Sequence, residues 1–321
     1  MKVFLTHTDE AFALYYGERP LAALREHAEV ARNRSGKVLS GAALAEAAAG
    51  CEAIIADRST PGSAETFAAA EGLRAFLRCA VDVSTVDVPA ATARGVLVTR
   101  ATPGFTDAVA ELALGMMVDL ARGVSGLAAV ARAGGNPVPR RGRQLSGATL
   151  GLVGYGRIAR RVAEIGRALG MRVLAHDPHA RPEGVEARDL PGLLGESDFV
   201  VCLAAATPET SRMMDAGAFA AMRRGAFFLN LARGELVDED ALEAALASGH
   251  LGGAALDVGS APDQKPPARL ARRPDVLAVP HIGGLTVEAT EHQAMDTVRQ
   301  VAALVAGRLP EGAVNPEAWR G

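Results

Sequence analysis

Leu150-Gly151-Leu152-Val153 runs directly into Gly154-Tyr155-Gly156-Arg157-Ile158-Ala159. An apolar strand, a glycine-rich turn and a helix in that order make a cradle for a pyrophosphate. The first glycine permits the tight turn and the second lets backbone approach the phosphates. The third position needs a small residue for helix–strand packing, and Ala159 supplies it. The helix that begins at Arg157 and Ile158 offers free N–H groups and a partial positive charge to the anion. Asp177 ends the next apolar run, 21 residues beyond Gly156. A carboxylate there accepts both adenosine ribose hydroxyls and repels a 2′-phosphate, so NAD is expected over NADP; Arg181 is a weaker hint the other way. Three more elements follow. Asn230-Leu231-Ala232-Arg233-Gly234 places an arginine just past a strand, Ala254-Ala255-Leu256-Asp257 places a carboxylate at the end of the next, and Pro280-His281-Ile282-Gly283 follows the last. All three stand where open α/β sheets bind ligands, at the carboxyl ends of strands.

The chain that positions these residues has 321 amino acids, enough for two domains. With 34 Lys+Arg against 37 Asp+Glu the net charge is −3, so no basic field points to nucleic acid or a membrane surface. Cys51, Cys79 and Cys202 are too few and too scattered for a disulfide framework or a metal site, which favours a reducing cytoplasm. Asp9 and Glu10 interrupt any signal-peptide core, and no apolar run approaches the roughly 20 residues of a membrane helix. Short strands are predicted at Val3–Thr6, Ala53–Ala56, Ala75–Leu77 and Val96–Thr99, with helical pieces at Ala42–Ala49 (capped by Ser40), Ala64–Ala70 and Pro89–Ala93. One long helical pattern is expected from Thr106 to about Ala133, then a break at Gly134-Gly135-Asn136-Pro137. A second βα series follows, with strands near 150–153, 172–176, 198–203, 227–231, 253–257 and 276–279. An amphipathic helix near 286–306 closes the pattern. Two parallel-sheet α/β domains result, with the long helices near 106–122 and 286–306 as crossings.

From about Ala53 to Gly307 the sequence resembles the D-isomer-specific 2-hydroxyacid dehydrogenases of the phosphoglycerate dehydrogenase type. The residues that carry the resemblance run in order: Asp57-Arg58-Ser59-Thr60, Ala90 to Val96, Val109-Ala110-Glu111, the glycine motif, Thr207-Pro208-Glu209-Thr210, the arginine motif and the histidine motif. It implies two doubly wound domains: a flavodoxin-like substrate domain (1–100 plus 287–321) and a Rossmann NAD-binding domain (101–286). It implies that Arg233 binds the substrate carboxylate and polarises the 2-carbonyl, and that His281 is the acid in reduction and the base in reverse. Ala232, Asp257, Thr207, Pro208 and Gly283 join the cofactor site, and Arg58 and Ser59 the substrate loop. The Ala80-Val81-Asp82 turn would hold the substrate carboxylate through backbone N–H groups. Asp82 stands where glycine is usual, and brings a negative charge to an anion site unless its side chain turns away. A homodimer built from the region between 106 and 147 is implied as well.

One family feature is missing. A glutamate five residues after the motif aspartate usually hydrogen-bonds the catalytic histidine and, as a nearby negative charge, favours its protonated form. Five beyond Asp257 stands Pro262. Asp263, one position late, is the residue expected to partner His281, with Gln264 or no partner as the alternatives. Should the substrate carry a phosphate, Arg78 and Arg100 are the arginines to meet it. Because the chain stops at Gly321, no C-terminal regulatory module is expected. The activity expected is hydride transfer between NAD and a small D-2-hydroxy acid, set against an NAD-sensing corepressor-like interaction protein of the same fold; a formate-dehydrogenase-like enzyme fits the chain length poorly.

Overall fold

The apolar runs of the first hundred residues become a parallel sheet of five strands: β1 (Lys2–Leu5), β2 (Glu29–Arg32), β3 (Ala53–Ala56), β4 (Ala75–Arg78) and β5 (Leu97–Arg100), in the order β2-β1-β3-β4-β5. The computed structural model describes residues 1–261 and 263–320. Its contacts divide into two units, Met1–Phe105 with Leu285–Gly321, and Thr106–Gly284. In the first unit the strand period of two separates two cores. Val3, Leu5, Ile55, Leu77 and Leu97 pack with Ala294, Val298 and Val301 of the helix Val287–Val305. Phe4, Ile54, Phe76 and Val98 face the opposite way, onto Leu44, Phe67 and Ala91. Both faces are covered, which explains why these strands read as unbroken apolar runs. The chain returns at its end to pair Thr99 of β5 with Ala313, and the Asn315 carboxamide accepts the Val98 N–H at 2.7 Å.

The second unit holds seven parallel strands: β6 (Thr149–Val153), β7 (Arg172–His176), β8 (Glu186–Ala187), β9 (Phe199–Cys202), β10 (Phe227–Asn230), β11 (Gly253–Leu256) and β12 (Val276–Ala278). Their order is β12-β11-β10-β9-β6-β7-β8, so the sheet reverses direction between β6 and β9. That is the doubly wound dinucleotide-binding arrangement, whose ligand crevice lies at the reversal. The first sheet reverses between β1 and β3, as in flavodoxin-like folds.

Several local expectations are corrected. The 106–133 pattern is two helices, Thr106–Arg122 and Val124–Arg132, bent by 71° at Gly123, whose φ of 68° lies in the left-handed region that glycine tolerates. Ser40 occupies the N-cap of the helix Gly41–Ala47 but makes no capping bond, whereas Thr8, Ser63, Asp87 and Thr286 cap theirs. The helices Asp9–Tyr15 and Glu18–Arg25 and the strands β2 and β8 lie outside the predicted elements. β2 is a half-exposed edge reading Glu-Val-Ala-Arg, and β8 has two exposed residues, so neither carries an apolar run. Among the described residues, no single helix is long and apolar enough to cross a membrane.

Candidate active site

β6 delivers the chain to Gly154 at φ 89°, where a side chain would meet the Ala204 backbone at 2.6 Å. Only glycine fits there. Gly156 caps the twelve-residue helix Arg157–Ala168 without any side-chain bond, and a Cβ built on it meets nothing within 4 Å. The helix N-terminus therefore opens onto free space, while Ala159 is buried behind it. Asp177, just past β7, bends back over this turn. One carboxylate oxygen accepts the Tyr155 N–H at 2.7 Å, and the other accepts those of His179 and Ala180 at 2.8 and 3.0 Å. Burial pushes its pKa up, but the three backbone donors outweigh that, so it lies below the ordinary aspartate value and the group stays ionised near neutrality. An open helix end, a backbone that can be approached at Gly156 and an ionised carboxylate one strand away fit a dinucleotide. Thr207 and Pro208 form an exposed turn after β9, closed by the Thr207–Thr210 capping box.

The arginine, aspartate and histidine motifs follow three adjacent strands, β10, β11 and β12. Asn230 ends β10 fully buried; its carboxamide donates to the Arg233 carbonyl at 2.9 Å and accepts the Ala232 N–H at 3.1 Å. This side chain folds the turn that presents Arg233. The guanidinium is exposed and donates to the Ala232 carbonyl at 2.8 Å, and among the described residues no carboxylate pairs with it. Gly234 is required beside it, because a Cβ would meet the Gly259 carbonyl carbon at 2.0 Å.

Asp257 is buried, and its two carboxylate oxygens accept the N–H groups of Ile282 at 2.7 Å and Gly283 at 3.0 Å. Its own carbonyl accepts the His281 N–H at 2.9 Å. His281 is held at φ 57°, a left-handed conformation that costs a non-glycine residue roughly 1–2 kcal/mol. Hydrogen bonds to a charged acceptor return about 1.5–3 kcal/mol each, so the Asp257 clamp is enough to hold the strained turn. Burial raises the Asp257 pKa, and the two backbone donors offset part of that rise. A side chain at Gly283 would meet this carboxylate at 2.7 Å, so glycine is needed there too. The expected place of Asp257 against the nicotinamide is thus joined by a second task, bracing the histidine turn.

Asp263 does not take the place expected for it. Its carboxylate accepts the Lys265 N–H at 3.2 Å and faces the Lys265 ammonium at 3.5 Å, in a turn closed by the Gly259–Gln264 backbone bond. Gln264 sits at φ 56° within that turn. Pro262, at the position of the family glutamate, lies outside the described residues.

The first unit holds the remaining candidates. Arg58 and Ser59 are exposed on the turn after β3. In the 80–82 turn, the Ala80 and Val81 N–H groups have no acceptor among the described residues. The Asp82 carboxylate accepts the Ser84 N–H and hydroxyl, at 3.0 and 2.7 Å. Arg78 is no phosphate ligand. It is 1% exposed and every guanidinium N–H is used within the protein.

Residues 114–283 match the NAD binding domain of the D-isomer specific 2-hydroxyacid dehydrogenases. The chain belongs to this family. NAD is the cofactor that the matched domain takes. The chain is 35% identical over 272 residues to D-3-phosphoglycerate dehydrogenase of Synechocystis, covering 82% of this chain and 49% of that one. It is 36% identical over 273 residues to the Mycobacterium leprae enzyme of the same name, with 82% and 51% covered. The chain thus spans about half the length of the curated relatives it matches. Among solved structures, a Thermus thermophilus protein is 37% identical with a TM-score of 0.86, covering 98% of this chain and all of that one. The D-lactate dehydrogenase of Escherichia coli is 27% identical with a TM-score of 0.85 and the same coverage. Sequence reasoning assigned no role to Asn230, no bracing role to Asp257 and the wrong role to Arg78. A polar or charged residue closing an otherwise apolar strand was the signal available for each.

Proposed function

We propose that the protein is an NAD-dependent dehydrogenase that interconverts a small D-2-hydroxy acid and its 2-oxo acid. One observation carries the reading: an arginine without a carboxylate partner among the described residues, a clamped histidine turn and an open dinucleotide cradle all stand at strand ends of one sheet. Bound NADH supplies the hydride in reduction, and NAD accepts it in oxidation. Arg233 binds the oxo acid's carboxylate and draws electron density from its 2-carbonyl, because its planar fork donates to two oxygens at once. His281 protonates the carbonyl oxygen as it becomes an alkoxide, and takes that proton back in the oxidative direction. Arg58, Ser59, Ala80 and Val81 are proposed as further substrate contacts. Ala232, Asp257, Thr207, Pro208 and Gly283 complete the cofactor site with Gly154, Gly156, Arg157, Ile158 and Asp177.

The test is oxidation of NADH with pyruvate, glyoxylate, hydroxypyruvate and 3-phosphohydroxypyruvate. Turnover with at least one is expected, with NADH favoured over NADPH because the Asp177 charge opposes a 2′-phosphate. Asp177→Asn should narrow that preference by about tenfold or more, on the strength of one lost charge–charge repulsion. Equal use of both cofactors by the unaltered protein would refute the role given to Asp177.

We also propose a cytoplasmic homodimer. The three cysteines are unpaired and buried, which suits a reducing compartment. The helix Val124–Arg132 buries none of its residues, and Val124, Val130 and Val138 are 55%, 43% and 76% exposed. Covering such an apolar stretch with a second copy removes it from water. Sedimentation should give twice the chain mass at micromolar concentration; a monomer there would contradict the assignment.

A further inference from the structure

Arg78 ends β4 and is the largest fully buried side chain among the described residues. A guanidinium has five N–H groups, and a buried charge persists only where its donors are met. Here all five are. Nη1 donates to the carbonyls of Asp57 and Thr60 at 2.6 and 2.7 Å. Nη2 donates to the Arg58 carbonyl at 2.6 Å and the Thr85 hydroxyl at 2.9 Å, and Nε to the Asp82 carbonyl at 3.1 Å. Three acceptors come from the turn after β3 and two from the turn after β4, so one side chain fixes both.

The pattern of acceptors has a geometric consequence. A trans peptide points its C=O and the following N–H in opposite directions. Drawing the carbonyls of Asp57, Arg58 and Asp82 inward therefore turns the N–H groups of Arg58, Ser59 and Val83 outward. None of those three N–H groups has an acceptor among the described residues. Outward-facing successive amides form concavities that bind anions. The Asp57 carboxylate reinforces the first turn by accepting the Thr60 N–H at 2.9 Å.

We propose that Arg78 is a positioning residue for the substrate: buried beneath the 57–60 and 82–85 turns, it orients their backbone N–H groups toward the oxygens of the oxo acid without touching it. The proposal rests on the reading that these turns take the substrate. It assigns the outward N–H groups of Arg58, Ser59 and Val83 to the same anion as those of Ala80 and Val81. Lysine cannot replace the side chain, because a single ammonium with three donors cannot span five acceptors in two turns.

The test compares the unaltered protein with Arg78→Lys and with Thr85→Val, which removes one acceptor at an exposed position. The assay uses whichever of pyruvate, glyoxylate, hydroxypyruvate and 3-phosphohydroxypyruvate the unaltered protein reduces best. Arg78→Lys should raise KM for that acid about 30-fold while kcat changes about 3-fold or less, since the loss falls on orientation and not on the reacting atoms. NADH affinity, read by fluorescence titration, should be unchanged. Thr85→Val should raise KM about threefold. Hydrogen exchange at Thr60 and Ser84, whose N–H groups are held by the Asp57 and Asp82 carboxylates, should quicken in both variants, a readout that needs no substrate. A folded Arg78→Lys protein with unaltered KM overturns the proposal. If that variant does not fold, an unaltered KM and unaltered exchange in Thr85→Val overturn it. If the unaltered protein reduces none of the acids, the functional reading fails separately. The positioning role is then decided by exchange alone: faster in the variants supports it, and unchanged refutes it.

Discussion

Arg233→Ala should bind NADH as the unaltered protein does and lose about a thousandfold in kcat/KM for its 2-oxo acid. The two halves of that expectation have separate causes. The guanidinium stands on the turn after β10, shaped by Asn230, while the phosphate cradle lies at the end of β6; removing one leaves the other in place. The loss is large because the arginine acts twice, holding the carboxylate in a fixed plane and stabilising charge that grows on the carbonyl oxygen. Arg233→Lys should recover part of the binding and little of the rate, since a point charge lacks the planar fork. Steady-state kinetics with a parallel NADH titration checks both statements. Unchanged catalytic efficiency in Arg233→Ala would remove the residue from the site.

His281→Gln should lower kcat by about 100- to 10,000-fold, the range that positioned acid–base groups contribute. Glutamine can still hydrogen-bond the carbonyl oxygen, so KM should move less than kcat. The proton is what it cannot supply. In the unaltered protein, kcat/KM for reduction should fall as pH rises through the histidine pKa, because the acid must be protonated to act. That limb should be absent from the His281→Gln profile. A variant that keeps both the rate and the descending limb would assign the proton to another group. The Asp257 clamp bears on the same result. Because the backbone at 281 is fixed by Asp257 and Gly283, the substitution changes the ring and leaves the turn where it is.

Much of this arrangement was legible in the sequence, and what was not has physical reasons. The glycine turn could be read because two of its positions answer a steric demand: no side chain fits at 154, and only a small one at 159. The strand ends that carry Arg233, Asp257 and His281 could be read because both faces of the sheets are buried, which writes the strands as apolar runs. β2 and β8 escaped because edge strands bury little. The bend at Gly123 escaped because one glycine inside an apolar helical pattern does not announce a left-handed turn. Arg78 was misread for a different reason. An arginine next to a substrate loop invites an anion, and only the folded turns show that its five donors are already taken by carbonyls and a hydroxyl. Asp263 was chosen by counting along the chain, yet turn geometry ties it to Lys265 two residues on. Register within a turn that contains a left-handed Gln264 cannot be counted as if it were extended.

The most direct measurement is of the product formed. The purified protein is incubated with NADH and each of the four 2-oxo acids, and both the NADH consumed and the handedness of the hydroxy acid formed are determined. One or more acids should be reduced, with one hydroxy acid of the D configuration per NADH oxidised. NADH binding without turnover of any of them, or a product of the L configuration, would contradict it.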